Sequence, residues 1–274
     1  MPNGCTPMSG SERIALIGAG AIGGQVARLL AERDTPVRIV AVGVSDASRA
    51  RAVPAGAMVI DDPAALAATG ATLVVEAAGR ASVESWGVAA LQAGADFAVS
   101  STSAFVDDGL LTRLLALADR HGARILIPPG ALGGIDALAA AARMGMHGVT
   151  HIVTKPAAAW AGTEAETLCD LHRLAAPVTF FEGTARAAAD RFPRNANVAV
   201  ISSLAAMGLD DTRIALVADP QARHNTHRIE ASGDFGRMTV EIENYPLPDN
   251  PKSSAMTALN LVRLIENRVQ RLVI

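Results

Sequence analysis

Short apolar runs alternate with longer amphipathic stretches through the first 130 residues, and this rhythm predicts strand and helix in turn. Strand-length runs lie at 14–17, 37–44, 58–60, 72–76, 97–100 and 124–127. Helical spacing of apolar positions marks the segment that follows residue 20, with Val26, Leu29 and Leu30, and then 63–68, 81–93 and 107–121. Alternation of this kind implies a parallel sheet covered by helices on both faces. Such sheets bind ligands at the carboxyl ends of their strands. The segments to watch are therefore the strand tips at 18–23, 76–79, 100–103 and 128–131.

From about residue 147 the pattern changes to strands that follow one another, at 147–154, 178–182, 213–218, 226–231 and 238–244. Helical stretches at 185–191 and 195–207 interrupt them, so the second half reads as α+β on a mixed or antiparallel sheet. Beyond Pro246, Pro248 and Pro251 an amphipathic helix carries Leu259, Leu261, Val262 and Ile265, which should pack on a neighbour. We expect residues 1–130 to form one domain, 131–250 a second, and 251–274 to pack back on the first.

The first strand runs into Gly18-Ala19-Gly20-Ala21-Ile22-Gly23-Gly24 and leaves as a helix. In that context the glycines read as a dinucleotide-binding turn: Gly18 for the tight turn, Gly20 for backbone approach to a pyrophosphate, Gly23 for close packing of helix on strand. The fold class is then a Rossmann-type doubly wound parallel sheet with a second α+β substrate domain. The second strand should end on the residue that reads the adenosine ribose, and Ser45 occupies that slot, with Asp46 just beyond it and Arg49 and Arg51 placed to meet a 2′-phosphate. The cofactor is accordingly NAD or NADP. The alternative is local: Asp46 or Ser48 caps the next helix and the arginines are solvated.

Net charge is −3 and no long basic run occurs, which argues against a nucleic-acid or anionic-membrane partner and for a small-molecule substrate. Cys5 and Cys169 are the two cysteines, far apart and without metal-ligand spacing, so neither disulfides nor a metal site is expected. With no leader-like start and no membrane-spanning run, we expect a cytoplasmic protein. Of the 24 Lys and Arg residues only Lys155 and Lys252 are lysines, which marks both as positions where a compact ammonium serves better than a guanidinium. Either could equally be an ordinary surface charge.

Candidate chemistry gathers in the second half. His224 and His227 share a polar turn that opens a strand, and an imidazole suits proton transfer near neutral pH. Asn195 and Asn197 stand where a helix begins; they cap it, or their amides reach the cofactor or substrate. The Ser and Thr cluster at 100–103 and the turn at 128–131 could line the nicotinamide side, although such clusters also cap helices.

These residues resemble the L-aspartate dehydrogenases over nearly the whole chain. The likeness is carried by Val75-Glu76-Ala77-Ala78-Gly79, the 129–138 segment with Gly130, Ala131 and Asp136, Phe181-Glu182-Gly183-Thr184-Ala185-Arg186, and Phe192-Pro193 with Asn195-Ala196-Asn197-Val198-Ala199. Ala218-Asp219-Pro220, Asn225 with His227, Phe235-Gly236-Arg237 and Asn250-Pro251-Lys252 before Ser253 and Ser254 complete it. The resemblance implies oxidative deamination of L-aspartate to iminoaspartate, then oxaloacetate and ammonia, with supply of iminoaspartate to NAD biosynthesis and a homodimer. It implies His227 as the catalytic histidine and Ala131 and Asn197 as NAD(P) contacts, beside Gly18, Gly20, Ala21, Ile22, Gly23, Ser45 and Ala78 on the turn and tips. Asn195, Asn225, Lys155 and Lys252 are the substrate candidates. Two departures stand out: Ser45 replaces a common Asp, and Ser101-Thr102-Ser103-Ala104 replaces a Ser-Val-Gly-Ala-like segment. The alternatives are a dihydrodipicolinate-reductase-like or homoserine-dehydrogenase-like enzyme on the same architecture, and a non-catalytic NAD(P)-binding sensor.

Overall fold

A computed structural model describes residues 11–48, 53–247 and 250–274, and within them every side chain but those of 194 and 251–253. Cys5, Arg49 and Arg51 lie outside the described residues. The chain divides into two compact units, Met1–Pro128 with Thr257–Ile274, and Pro129–Met256. Among the described residues no helix is long and apolar enough to cross a membrane.

The first unit holds a six-stranded sheet in the order β3-β2-β1-β4-β5-β6. Its strands are β1 (Glu12–Ile17), β2 (Val37–Gly43), β3 (Met58–Ile60), β4 (Leu73–Glu76), β5 (Asp96–Val99) and β6 (Ile125–Leu126), and all pair in parallel. Central strands of such a sheet are covered on both sides, which is why β1, β4 and β5 are nearly unbroken apolar runs. Alternate residues take opposite faces. Ile14, Leu16, Leu73, Val75 and Ala98 meet helix α1 (Ala21–Ala31) and the C-terminal helix Ala255–Glu266, whereas Phe97 lies beside helix α3 (Val83–Gln92) and Leu114 of helix α4 (Asp108–His121). The short helix α2 (Leu66–Thr69) follows a 3₁₀ turn at Pro63–Ala65.

Helix α4 shows how local sequence sets its ends. The Asp107 carboxylate accepts the Leu110 N–H at 3.1 Å, and Gly122, at φ +65°, closes the helix in the left-handed region. Within the C-terminal helix Leu261, Val262 and Ile265 are buried on the sheet, each contributing about 1.5 to 3 kcal/mol. Leu259 does not join them: it is 40% exposed, one residue off the buried stripe. The helix also starts later than 251, because Asn250–Ser254 is a strand paired with Pro246–Leu247. Pro251 disfavours helical backbone at the residue before it.

The second unit is a mixed five-stranded sheet in the order β11-β10-β7-β9-β8. It comprises β7 (Met146–Pro156), β8 (Val178–Thr184), β9 (Arg213–Asp219), β10 (Asn225–Gly233) and β11 (Gly236–Asn244), with β7 and β9 parallel and the other pairs antiparallel. Helices α5 (Ile135–Ala141), α6 (Ala165–Leu168), α7 (Ala185–Arg191) and α8 (Ala196–Ala205) accompany it. Periodicity missed α5 and α6. Val149, His151 and Val153 of β7 and His227, Ile229 and Ala231 of β10 are buried on one face, while Arg228 of the opposite face pairs with half-buried Glu230 and exposed Glu241. Trp160, Phe180, Phe181 and Phe192 form an edge-to-face cluster in the same unit.

Candidate active site

The carboxyl end of the first unit's sheet is shaped by absent side chains. Gly18 ends β1 at φ +101° and donates its N–H to the Gly43 carbonyl at 2.8 Å. A Cβ there would lie 2.7 Å from the Ala77 carbonyl oxygen, and one on Gly23 would overlap the Gly18 carbonyl. At Gly20 a Cβ would meet nothing within 4 Å, so the backbone is open. Helix α1 has Gly20 as its N-cap, no capping side chain and no acidic residue in its first turn. Its first N–H groups, at 20–23, therefore face outward with the positive end of the helix dipole, a cradle that suits a pyrophosphate.

Glu76 organises the neighbouring tips. It is fully buried at the end of β4. Its Oε1 accepts the N–H groups of Ala78 and Gly79, both at 2.8 Å, and the hydroxyls of Ser82 and Ser101 at 3.1 and 2.9 Å. Oε2 accepts the Ser101 N–H at 2.9 Å. Sequence reading noted Glu76 only as part of a tip; its signal was a lone acid closing an all-apolar strand. Ser100, Ser101, Thr102 and Ser103 are buried, and Ser101 serves Glu76. Beyond β2, Ser45 is exposed, and Asp46 accepts the N–H and hydroxyl of Ser48 at 2.9 and 2.5 Å, a local turn with no helix following in the described residues.

In the second unit His227 of β10 pairs in register with Val153, and His151 of β7 with Ile229. Both imidazoles thus project from the same face as diagonal neighbours. His151 Nε2 lies 3.2 Å from His227 Nδ1, and His151 Nδ1 lies 3.0 Å from Ser202 Oγ on α8. Burial pulls the His151 pKa down to about 3. Burial also holds His227 well below its ordinary value, with His151 and the charge of Lys155 adding to it. The site therefore presents a neutral imidazole at neutral pH, the form that takes up a proton. Among the described residues no cluster of His, Cys, Asp and Glu could hold a metal ion.

A family model described as "Aspartate dehydrogenase, C-terminal" matches residues 136–268, and one described as "Homoserine dehydrogenase, NAD binding domain" matches 18–128. The L-aspartate dehydrogenase of Brucella anthropi is 63% identical over 97% of this chain and all of its own. The chain belongs to the L-aspartate dehydrogenase family. The Pseudomonas aeruginosa L-aspartate dehydrogenase is 43% identical over 93% of this chain and 96% of its own. The crystal structure of aspartate dehydrogenase from Thermotoga maritima shares the fold at a TM-score of 0.76 and 24% identity, covering 96% of this chain and 99% of that one.

The other residues that the family resemblance singled out fall as follows. Gly18 and Gly23 are buried, Gly20 and Ala78 exposed, and Ala21 and Ile22 half-buried, with Ile22 packed on the core. Lys155 stands on the His151 side of β7, its Nζ 5.0 Å above the Trp160 ring. Asn225 shares His227's side of β10 and pairs in register with Asn244. Asn244, which sequence reading missed, is buried and donates from Nδ2 to the Ala131 carbonyl at 3.0 Å, while its Oδ1 accepts the Ser254 hydroxyl at 2.6 Å. Ala131 is thereby fixed in its loop. Asn195 is buried, yet its amide does not cap α8, which removes the capping reading for that residue. Asn197 is exposed in the first turn of α8. The His224 ring lies 4.6 Å from the Tyr245 ring, tilted to it by 55°, and its Nε2 is 3.9 Å from Glu243 Oε1; it makes no contact with the histidine pair among the described residues. The Lys252 and Ser253 side chains lie outside those described.

Proposed function

We propose that the chain oxidises L-aspartate at Cα with NAD or NADP, giving iminoaspartate that water converts to oxaloacetate and ammonia. The observation that carries this reading is His227, a buried neutral imidazole backed by His151, in a chain of the L-aspartate dehydrogenase family. When bound, the nicotinamide accepts the hydride released from Cα. The open backbone of Gly20 and the N–H groups at 20–23 would hold the pyrophosphate, with Gly18, Ala21, Ile22, Gly23, Ser45 and Ala78 around it, and Ala131 and Asn197 would be further cofactor contacts.

His227 Nε2 takes a proton from the substrate nitrogen, so that the nitrogen lone pair can form the C=N bond as Cα is oxidised. Once that proton has passed to solvent, the neutral imidazole can accept another from the water that attacks the imine carbon. Lys155 and Lys252 meet the substrate carboxylates, and Asn195 and Asn225 supply neutral hydrogen bonds. Released iminoaspartate can feed NAD biosynthesis. A cytoplasmic homodimer completes the reading, and sedimentation of the purified chain checks the dimer.

The test is reduction of NAD or NADP, followed by absorbance, with L-aspartate as the only substrate. Reduction that requires L-aspartate supports the reading. A chain that binds the dinucleotide but fails to reduce it with any amino acid would instead fit the non-catalytic sensor. Activity confined to homoserine or a dihydrodipicolinate-type substrate would move it to another enzyme of this architecture.

A further inference from the structure

We infer that Ser202 and His151 are positioning residues that hold His227 as its Nδ1–H tautomer and leave Nε2 as a bare lone pair. The inference rests on His227 being the proton acceptor. It follows from counting donors along a buried chain.

Ser202 is wholly buried on α8. Its Oγ lies 3.1 Å from the carbonyl oxygens of both Val198 and Ala199. Carbonyl oxygens only accept, so the hydroxyl proton points to them and an oxygen lone pair faces His151. His151 Nδ1, 3.0 Å away, must then donate. A neutral imidazole carries one N–H, so His151 Nε2 is an acceptor, and His227 Nδ1 at 3.2 Å must donate to it. What remains on His227 is Nε2 without a proton.

Both rings are neutral for a physical reason: they are buried, and among the described residues no carboxylate is hydrogen-bonded to either. A second imidazole takes the place that a carboxylate holds in Ser-His-Asp sites, orienting the base without lending it negative charge. When His227 Nε2 accepts a proton, the Nδ1–H bond to His151 persists, but no carboxylate among the described residues is hydrogen-bonded to the new cation. His227 is therefore a base that gives its proton up again readily.

Nitrogen-15 spectra of the histidine-labelled full chain read the tautomer directly, with a His227→Asn variant to assign the signals. At neutral pH, His227 should show a protonated Nδ1 and an unprotonated Nε2. His151→Leu should shift His227 toward the Nε2–H form that free side chains favour, and lower kcat about 10- to 100-fold with dinucleotide KM changed less than about threefold. His151→Gln, whose amide can donate to Ser202 and accept from His227, should restore the tautomer and recover most of that loss. Should His151→Leu not fold, Ser202→Ala removes the first link and must produce a smaller shift of the same sign. A wild-type His227 protonated on Nε2, or variants that leave the tautomer unchanged, overturns the inference. The expected tautomer in a protein inactive on L-aspartate would instead count against the proposed reaction and leave the positioning chain standing.

Discussion

Glu76 Oε2 accepts the backbone N–H of Ser101 at 2.9 Å, which ties the tip of β4 to the tip of β5. Through Oε1 the same carboxylate holds the N–H groups of Ala78 and Gly79, so one buried side chain shapes two of the loops expected to meet the dinucleotide. Glu76→Gln would turn an amide NH₂ toward groups that themselves donate. It should destabilise the protein by about 1 to 3 kcal/mol, the cost of leaving a buried donor unmet, and weaken dinucleotide binding. Urea denaturation and a dinucleotide titration check this; wild-type values in both would show that the tips hold their shape without Glu76.

Replacing His227 should separate chemistry from binding. His227→Ala is expected to lower turnover by about two to four orders of magnitude, the usual contribution of a general base, with dinucleotide affinity nearly intact. A variant that keeps more than about a third of wild-type kcat would remove His227 from the proton transfer.

Ser45 is exposed beyond β2, where an acidic side chain would contact the ribose hydroxyls and repel a 2′-phosphate. Asp46 is already engaged with Ser48. The chain should therefore use both cofactors, with less than about a hundredfold preference in kcat/KM, and Ser45→Asp should favour NAD. Rejection of NADP by several orders of magnitude in the unmodified protein would mean that Asp46 reaches the ribose after all.

The substrate should need its side-chain carboxylate. A pocket built for two anionic groups loses several kcal/mol when one is missing, since a buried cation or donor is left unpaired. Alanine should be a very poor substrate, and glutamate poor because its extra methylene displaces either the carboxylate or Cα. Measured kcat/KM for either amino acid within about tenfold of that for aspartate would argue against a dicarboxylate pocket.

The histidine pair should also make stability depend on pH. In the unfolded chain each imidazole titrates near 6.5, whereas in the fold burial holds His151 at about 3 and His227 well below its ordinary value. The unfolded state therefore binds more protons below 6.5. The stability tied to these groups is complete above that pH and is lost as the pH falls toward the folded values, on the order of 1 kcal/mol per pH unit for each histidine. Urea denaturation at about pH 7 and pH 5.5 should show the loss in the wild type and a smaller one in His151→Gln, with the carboxylates still ionised across that window. Equal losses in both proteins would mean that His151 is not held neutral by the fold.

The alternation of strand and helix, the glycine turn and the switch to successive strands after residue 147 were all legible in the sequence, because each is a local property: side-chain period, or the absence of a Cβ at one position. The same locality explains what was misjudged. Leu259 fits a helical stripe on paper but falls one residue off the buried one, and the strand at Asn250–Ser254 exists only because Pro246–Leu247 lies beside it. The site beyond His227 was hidden for a deeper reason. His151 is one more residue in an alternating strand until the β7–β10 register sets it beside a ring 76 positions away. Ser202 is one more small residue in a helix until that helix lies on the same face, and Asn244 reaches the Ala131 carbonyl across 113 positions. Spacing along one element specifies which face a side chain takes; which partner it meets there depends on register and packing between elements distant in the chain, and only the tertiary structure decides those.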